Sequence, residues 1–344
     1  MAVRRYLIAD EFGVHVGKYS ERLRVTRMKT GEKLGDYPLL HLEAVLIMSN
    51  GISISSDAVR ACAERGIPIF FLSGSGRAYA MLYTAQLTGT VATRRAQLAA
   101  YDSPKGLHVA RTFALGKVQN QINLLRYFTK NYREKEPELF ARVQEHVASI
   151  RDIQAEIENL DTDTLTLDEA RGPLLGLEGR AAHHYWAGVG LVLRQDLDWP
   201  GRRTRGASDA FNQALNYGYG VLYGWVERAL LLAGLDPYGG FLHADRPGKP
   251  SLVLDLIEEF RQHVVDRPLI AMVNRGTSLT REEGRLDRAT RRRIADHVLG
   301  RLEAPVPYEG KRLQLKSVLQ SQARHLATYL RGDRETYTPF VGSW

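Results

Sequence analysis

The sequence predicts an α+β protein, with a small β-rich N-terminal domain followed by a larger all-helical C-terminal domain. Three observations carry this expectation. Up to about residue 86, short branched and aromatic runs alternate with turn residues, as strands require. From about residue 90, apolar residues recur every three or four positions over long segments, the pattern of amphipathic helices. The 344 residues, 44% hydrophobic and 25% charged, have an ordinary globular balance and ample material for two cores. The division falls at 1–86 for the β-rich domain, 87–102 for a linker with a first helix, and 103–344 for the helical domain.

Taken in order, Tyr6–Ala9, Val14–Gly17 and Leu23–Met28 are short β-prone runs, and Lys29-Thr30-Gly31-Glu32 suits a hairpin turn. Leu39–Met48 is an apolar run with some alternation. A helix fits Ser56–Arg65, with Ser55 or Ser56 capping its start and Gly66 with Pro68 ending it. Ile67–Leu72 and Arg77–Tyr83 read as strands. The Ser73-Gly74-Ser75-Gly76 segment between them is a hairpin, because it lacks the spacing of a phosphate-binding loop. Helical patterning then covers Ala92–Tyr101, Pro104–Lys130, Pro137–Leu160, Leu174–Leu193, Ser208–Ala233, Ser251–Val265, Arg288–Leu302 and Leu313–Leu330. Pro137 suits a first helical turn, where a missing N–H costs nothing. Asp161–Asp168 reads as a polar turn and Asp196–Ala207 as a basic loop. Neither an internal repeat nor a low-complexity tract is found.

Composition narrows the function classes. Lys and Arg number 47 against 39 Asp and Glu, a formal charge of +8 that favours a polyanionic partner such as nucleic acid. Cys62 is the single cysteine, so an intramolecular disulfide and a thiolate zinc cage are both excluded, and its place in a helix reads as packing. The initial apolar run stops at Asp10, too soon for a signal peptide, and Ala229–Leu235 is far shorter than a bilayer span. No membrane partner is expected, and the location read from this is cytoplasmic.

One misplaced charge carries most of the chemistry. On the helix Leu174–Leu193, Leu174, Leu175, Ala181, Ala182, Tyr185, Trp186, Val189, Val192 and Leu193 share one stripe, and Glu178 falls at its centre. A carboxylate facing a core needs a cation or hydrogen bonds to meet it. Either a metal ion or a Lys or Arg from another helix would serve. On Ser208–Ala233, Asn212, Asn216, Tyr219, Tyr223 and Glu227 form a polar-aromatic stripe beside the apolar face. Such a stripe suits a groove wall facing phosphate and sugar, and equally a hydrogen-bonded seam between helices. His243 follows a glycine-rich turn, where an imidazole can bind a metal, shuttle protons or simply support structure. On Ser251–Val265, Asp255, Glu258 and Glu259 cluster roughly opposite the apolar side, as a solvated acidic face or as groups able to reach a cation. Two carboxylates and one imidazole, with no thiolate, favour Mn²⁺ or Mg²⁺ over structural zinc.

Five motifs in this order resemble the CRISPR-associated adaptation endonuclease family, the integrases that insert new spacers into CRISPR arrays. They are Leu177–Trp186 (LEGRAAHHYW), Asn212–Tyr219 (NQALNYGY), Gly234-Leu235-Asp236-Pro237, Gly240-Phe241-Leu242-His243 and Asp255–Arg261 (DLIEEFR), with a weaker signal in Tyr337-Thr338-Pro339-Phe340. The resemblance covers most of the chain. It implies that Glu178, His243 and Glu258 are catalytic metal ligands for Mn²⁺ or Mg²⁺, with Asp255 an accessory carboxylate near the ion. It also implies a homodimer built through the β-rich domain, a catalytic helical domain, and assembly with a small second CRISPR adaptation protein. The implied substrate is double-stranded DNA, cut and joined by attack of a 3′-hydroxyl on a phosphodiester. The chain departs from the family pattern in having Glu258 where some branches have aspartate, and Gln262 where proline is common. His183 and His184 lie in the first motif but off the Glu178 face.

Three basic clusters are candidates for DNA contact: Arg202, Arg203 and Arg205; Arg285, Arg288 and Arg291–Arg293; and Arg94, Arg95, Lys105, Arg111 and Lys117. The first adjoins the site in sequence and is the best phosphate-binding candidate, together with Asn212, Asn216, Tyr219 and Tyr223. Two other function classes compete: a non-catalytic DNA-bridging scaffold whose carboxylates form structural ion pairs, and a metallohydrolase acting on a small substrate.

Overall fold

The computed structural model describes residues 5–74, 76, 78–82, 91–161, 164–194, 197 and 199–343. The initial Met1–Arg4 segment, Ser75 of the glycine-serine hairpin, Arg77 and Tyr83 at the ends of a predicted strand, and residues 87–90 of the linker lie outside them, as do residues 162–163 of the predicted polar turn and 196 and 198 of the predicted basic loop.

The fold is α+β, with a strand-rich N-terminal region and a helical C-terminal region. The first region holds β1 (Tyr6–Ala9), β2 (Val14–Tyr19), β3 (Arg22–Arg27), β4 (Lys33–Pro38), β5 (Ala44–Ile47), β6 (Ser53–Ile54), α1 (Ser56–Glu64), β7 (Ile69–Leu72) and β8 (Ala78–Leu82). They form two sheets, one ordered β1-β5-β7-β8 and the other β4-β3-β2-β6. Leu7, Val45 and Ile69 from the first sheet meet Val16, Leu23 and Val25 from the second, and Cys62 of α1 packs into the same core. The other face of the first sheet, through Ile8, Leu46 and Phe70, belongs to the helical core. A sheet covered on both faces needs apolar residues at successive positions, which explains the unbroken Ala44–Ile47 run. The second sheet has one wet face, and β2 and β3 alternate accordingly.

The helical region comprises α2 (Val91–Ala100), α3 (Pro104–Thr129), α4 (Tyr132–Lys135), α5 (Pro137–Glu158), α6 (Leu167–Val192), α7 (Ala210–Leu232), α8 (Ser251–Leu256), α9 (Arg267–Asn274), α10 (Arg288–Glu303) and α11 (Leu315–Arg331). Long α3, α5 and α6 pack together, while α7 runs against α10 and α11 and touches β7 and β8. Two short hairpins interrupt this region, β9 (Arg281–Glu282) with β10 (Arg285–Leu286) and β11 (Pro305–Tyr308) with β12 (Lys311–Gln314). The all-helical expectation missed both, because their strands are too short to show a period.

Two element boundaries differ instructively from expectation. α6 starts at Leu167, not Leu174, because Thr166 and Glu169 form a reciprocal capping box before Pro173. The predicted helix Ser251–Val265 is broken into α8, a 3-10 turn at Ile257–Glu259 and a π-helical turn at Gln262–Asp266. Pro268 has no N–H to return to the Val264 carbonyl, so regular pairing is lost just ahead of α9. Glu258 lies upstream on the separate 3-10 turn, which Pro268 does not account for.

Two members of the second arginine cluster, Arg288 and Arg292, tie the two regions together, while Arg285 and Arg293 are exposed. Arg288 reaches Asp10 at 3.0 Å, and Arg292 pairs with Asp10 at 3.5 Å and with the Ile8 carbonyl at 3.2 Å. At the neighbouring edge, Lys316 bridges Glu43 and Glu303, and Tyr6 donates its hydroxyl to Glu303.

Gly76 marks where the β7–β8 hairpin meets α7. Its φ is +81°, and an added Cβ would sit 2.5 Å from the Tyr217 Cα. Gly76→Ala should therefore cost about 2–4 kcal/mol, combining left-handed strain with overpacking against backbone. Denaturant midpoints measure it, and a loss below about 1 kcal/mol would mean the hairpin is free to lift from α7.

Candidate active site

α6 presents Glu178 toward α3, and the group that meets it is Lys117. The Lys117 ammonium pairs with Glu178 and also lies 2.6 Å from Glu258 on the 257–259 turn. Its side chain is only 13% exposed. Arg261, one turn beyond, closes the other side of Glu258 at 3.0 Å. Burial opposes the charge on Lys117, but the carboxylates of Glu178 and Glu258 outweigh it and hold the ammonium's pKa above its ordinary value. Burial likewise works against ionised Glu258, and Arg261, Lys117 and His243 together pull its pKa well below the usual carboxylate range. Arg180 turns away from this face to pair with Glu156 at 2.7 Å, and His183 is exposed.

His243 is fixed from behind. Asp255 accepts the backbone N–H groups of Phe241 at 2.6 Å, Leu242 at 3.0 Å and His243 at 2.8 Å, and its Oδ1 lies 2.8 Å from His243 Nδ1. The Asp255 carboxylate is fully buried, and both its oxygens are occupied in shaping the turn and orienting the imidazole. It stands behind His243 and anchors it. Nε2 is the ring nitrogen left for other chemistry. Gln97 of α2 pins the start of the same loop, donating to the carbonyls of Asp236 at 2.9 Å and Gly239 at 2.7 Å.

Glu259 belongs to neither a solvated face nor the Lys117 group. Asp255, Glu258 and Glu259 are all nearly inaccessible, which corrects the reading of an exposed acidic face. Glu259 accepts the Tyr337 hydroxyl at 2.5 Å and the Phe340 N–H at 2.8 Å, and burial pushes its carboxyl up to about 8 against those two bonds. Asn120 of α3 donates to the carbonyls of Glu259 and Phe340 at 2.9 and 2.8 Å and accepts the Gly342 N–H at 2.9 Å. Phe340 stacks on Phe260 at 5.1 Å. Residues 337–342 thus strap the back of the turn whose front carries Glu258.

The structure brings Glu178 and Glu258 onto one ammonium and puts His243 within electrostatic reach of Glu258. Among the described residues, no three His, Cys, Asp or Glu side chains close around a point suited to a metal ion.

Lys117, Glu258 and Arg261 border a cleft of about 2090 Å³, also lined by Arg94, Arg202 and Arg205. The polar stripe of α7 divides between this cleft and the interior. Asn212 is fully buried, accepting from Arg202 at 3.0 Å and from the Arg203 N–H at 2.9 Å while donating to Gly201 and Asp209. Its side-chain bonds latch the loop to α7. Tyr219 gives its hydroxyl to Asp266, and its ring lies 4.5 Å from the Arg261 guanidinium. Asn216 and Tyr223 border the cleft, although Asn216 is engaged by Arg202 at 2.7 Å and by the Thr204 carbonyl. Arg203 and Arg205 are exposed. Lys105, placed with a basic cluster by sequence, instead reaches the Tyr329 carbonyl at 3.3 Å near the end of α11.

The family model of the CRISPR associated protein Cas1 matches residues 7–298. The chain belongs to the Cas1 family. The CRISPR-associated endonuclease Cas1 1 of Archaeoglobus fulgidus is 34% identical over 98% of this chain and 99% of its own length. Among solved structures, a casposase bound to integration product superposes with a TM-score of 0.81 at 23% identity, covering 97% of this chain and 93% of that one. A Cas6-RT-Cas1–Cas2 complex gives 0.75 at 21% identity over 99% of this chain and 36% of that one.

Sequence reasoning about this Cas1 chain missed Lys117 as a site residue, assigning it to a surface cluster. The signal was present. Leu107, Ala110, Phe113 and Ala114 precede it, and Gln121, Leu124 and Leu125 follow it, on the buried stripe of α3. A lysine at such a position is the counterpart of the carboxylate on α6. Arg246 and Lys249, which also border the cleft, carried no periodic signal because they lie in an irregular loop.

The Asp266 carboxyl beneath this site makes the Cas1 fold pH-sensitive. Tyr185 donates to it at 2.6 Å, yet burial pushes it from 3.8 up to about 6. A raised carboxyl stabilises the fold fully below its unfolded pKa of 3.8, and that contribution is lost as pH climbs through about 6. Relative to Asp266→Asn, the parent chain should be more stable at about pH 4 than at about pH 7 by roughly 2 kcal/mol. Denaturant unfolding of both at the two pH values tests this. A difference that stays constant with pH would show that Asp266 is not desolvated.

Proposed function

We propose that this chain is a metal-dependent DNA endonuclease and integrase of CRISPR adaptation, inserting new spacers by 3′-hydroxyl attack on a phosphodiester. One observation carries the reading: two carboxylates from separate elements converge on a single cationic atom beside a basic cleft, with an anchored imidazole near them. The donor set fits a hard or borderline divalent ion. The ammonium marks a position where positive charge is already satisfied by Glu178 and Glu258, and a carboxylate bonded to Nδ1 is the usual support of a ligating histidine.

Glu178, Glu258 and Nε2 of His243 would hold Mn²⁺ or Mg²⁺, which when bound neutralises phosphodiester charge and activates an attacking oxygen. Asp255 keeps the imidazole in the tautomer with its lone pair on Nε2. Arg261 keeps Glu258 ionised inside the protein. Arg94, Arg202, Arg205, Arg246 and Lys249 along the cleft would take the phosphates of double-stranded DNA. A homodimer through the β-rich region is supported by Phe12 and Leu40, exposed there at 72% and 87%. Assembly with a small second CRISPR adaptation protein is supported by the similarity to a Cas1–Cas2 complex. No described helix is long and apolar enough to cross a membrane.

The Lys117 ion pairs favour one competing reading, a DNA-bridging scaffold whose buried charges serve only stability. Glu178→Gln separates the two. The integrase should lose joining of a duplex with free 3′-hydroxyls by about three orders of magnitude while still folding and keeping its DNA affinity. Some stability is lost in either case because Lys117 loses a partner, but a scaffold would have no joining to lose. In the parent protein, log affinity for duplex DNA should fall against log salt with a slope of about −0.9 per neutralised phosphate. A slope near zero would remove the cleft from the argument.

A further inference from the structure

Lys117 is a costly choice for a buried helix position. An ammonium taken out of water must be matched closely by its partners, and a methionine of similar shape would fill the same space with no charge to desolvate. What the lysine adds is charge balance. With Glu178, Glu258 and Arg261 it gives a group of two negative and two positive charges in mutual contact, summing to zero. A divalent ion entering between the two carboxylates would meet a neutral group whose cationic position is already filled.

We propose that Lys117 is a resident counter-cation that closes the site, leaving Glu178 and Glu258 only when a divalent ion arrives together with a DNA phosphate. This deepens the proposed function and rests on its assignment of the metal ligands. Three features support it. The ammonium bridges both carboxylates, so one displacement opens the whole position. Lys117 borders the basic cleft, where a phosphate would offer the displaced ammonium a new partner. Arg261 remains at 3.0 Å from Glu258, so that carboxylate is not stranded when the lysine withdraws. The result is coupling: DNA raises metal affinity, and metal raises DNA affinity by the same factor. Metal alone binds weakly, and cutting is suppressed until a substrate is seated.

The test is Mn²⁺ binding by the full chain, followed through the free-ion electron paramagnetic resonance signal. It is run without DNA and with a duplex carrying 3′-dideoxy ends, which cannot be joined. Lys117→Met should bind Mn²⁺ alone at least about tenfold more tightly than the parent. Duplex DNA should tighten Mn²⁺ binding about tenfold in the parent and hardly at all in the variant. Lys117→Arg, which keeps a cation, should behave like the parent. If Lys117→Met does not fold, Lys117→Gln is read in the same way. Unchanged or weaker Mn²⁺ binding in the neutral variant overturns the proposal. Glu178→Gln and His243→Ala identify which idea has failed. If both weaken Mn²⁺ binding while the neutral lysine variants do not strengthen it, only the counter-cation is wrong. If neither weakens binding, the metal site itself is wrong and the counter-cation falls with it.

Discussion

A single ammonium, held by Glu178 and Glu258, is the constraint around which the helical region is arranged. It joins α3, α6 and the irregular turn at 257–259, in addition to their apolar packing and the Asn120–Glu259 hydrogen bond. From Glu258 the polar contacts continue inward. Arg261 supports the carboxylate, the Tyr219 ring lies against Arg261, and Asp266 receives the hydroxyls of Tyr219 and Tyr185. Charged and polar groups therefore run from the cleft deep into the helical core. Buried networks of this kind are stable only when each member keeps its partner. Such a network holds its members in one geometry, which a site built from separate elements requires.

The β-rich region is secured to this body in two ways. One face of the first sheet is part of the helical core, so the sheet cannot lift without exposing Leu46 and Phe70. At its edges Asp10, Glu43 and Tyr6 meet arginines, a lysine and Glu303 from α10 and α11. The arginines of α10 look from sequence like a cationic surface. They are partly consumed by this attachment because Asp10, nearly three hundred positions away, is folded against them.

Much of the fold was legible in the sequence because its elements are long and periodic. The strand Tyr6–Ala9, the cap at Ser55 (one of the two serines expected there), and the spans of α3 and α5 follow from local rules that tertiary contacts do not override. Glu178 was legible as an anomaly, but its partner was not, since periodicity on one helix says nothing about what another helix brings to it. Asp255, Glu258 and Glu259 lie on successive sides of a broken helix and face three different partners, so the assumption of one regular helix merged them into a single acidic face. Asn212 and Tyr219 make inward hydrogen bonds that their spacing could not foretell. Amides and phenols at helical spacing look the same whether they face a ligand or a neighbouring loop.

The strap at residues 337–342 has a consequence for how the protein comes into being. Glu259 and Asn120 acquire their partners from a segment that follows every helix, so the acidic turn cannot be fully seated while a nascent chain is still short of that segment. α3 and α6 both precede that segment in the chain, so Lys117 and Glu178 are made while the turn behind Glu258 is still unbraced. The acidic turn is completed only when Tyr337 and Phe340 reach Glu259.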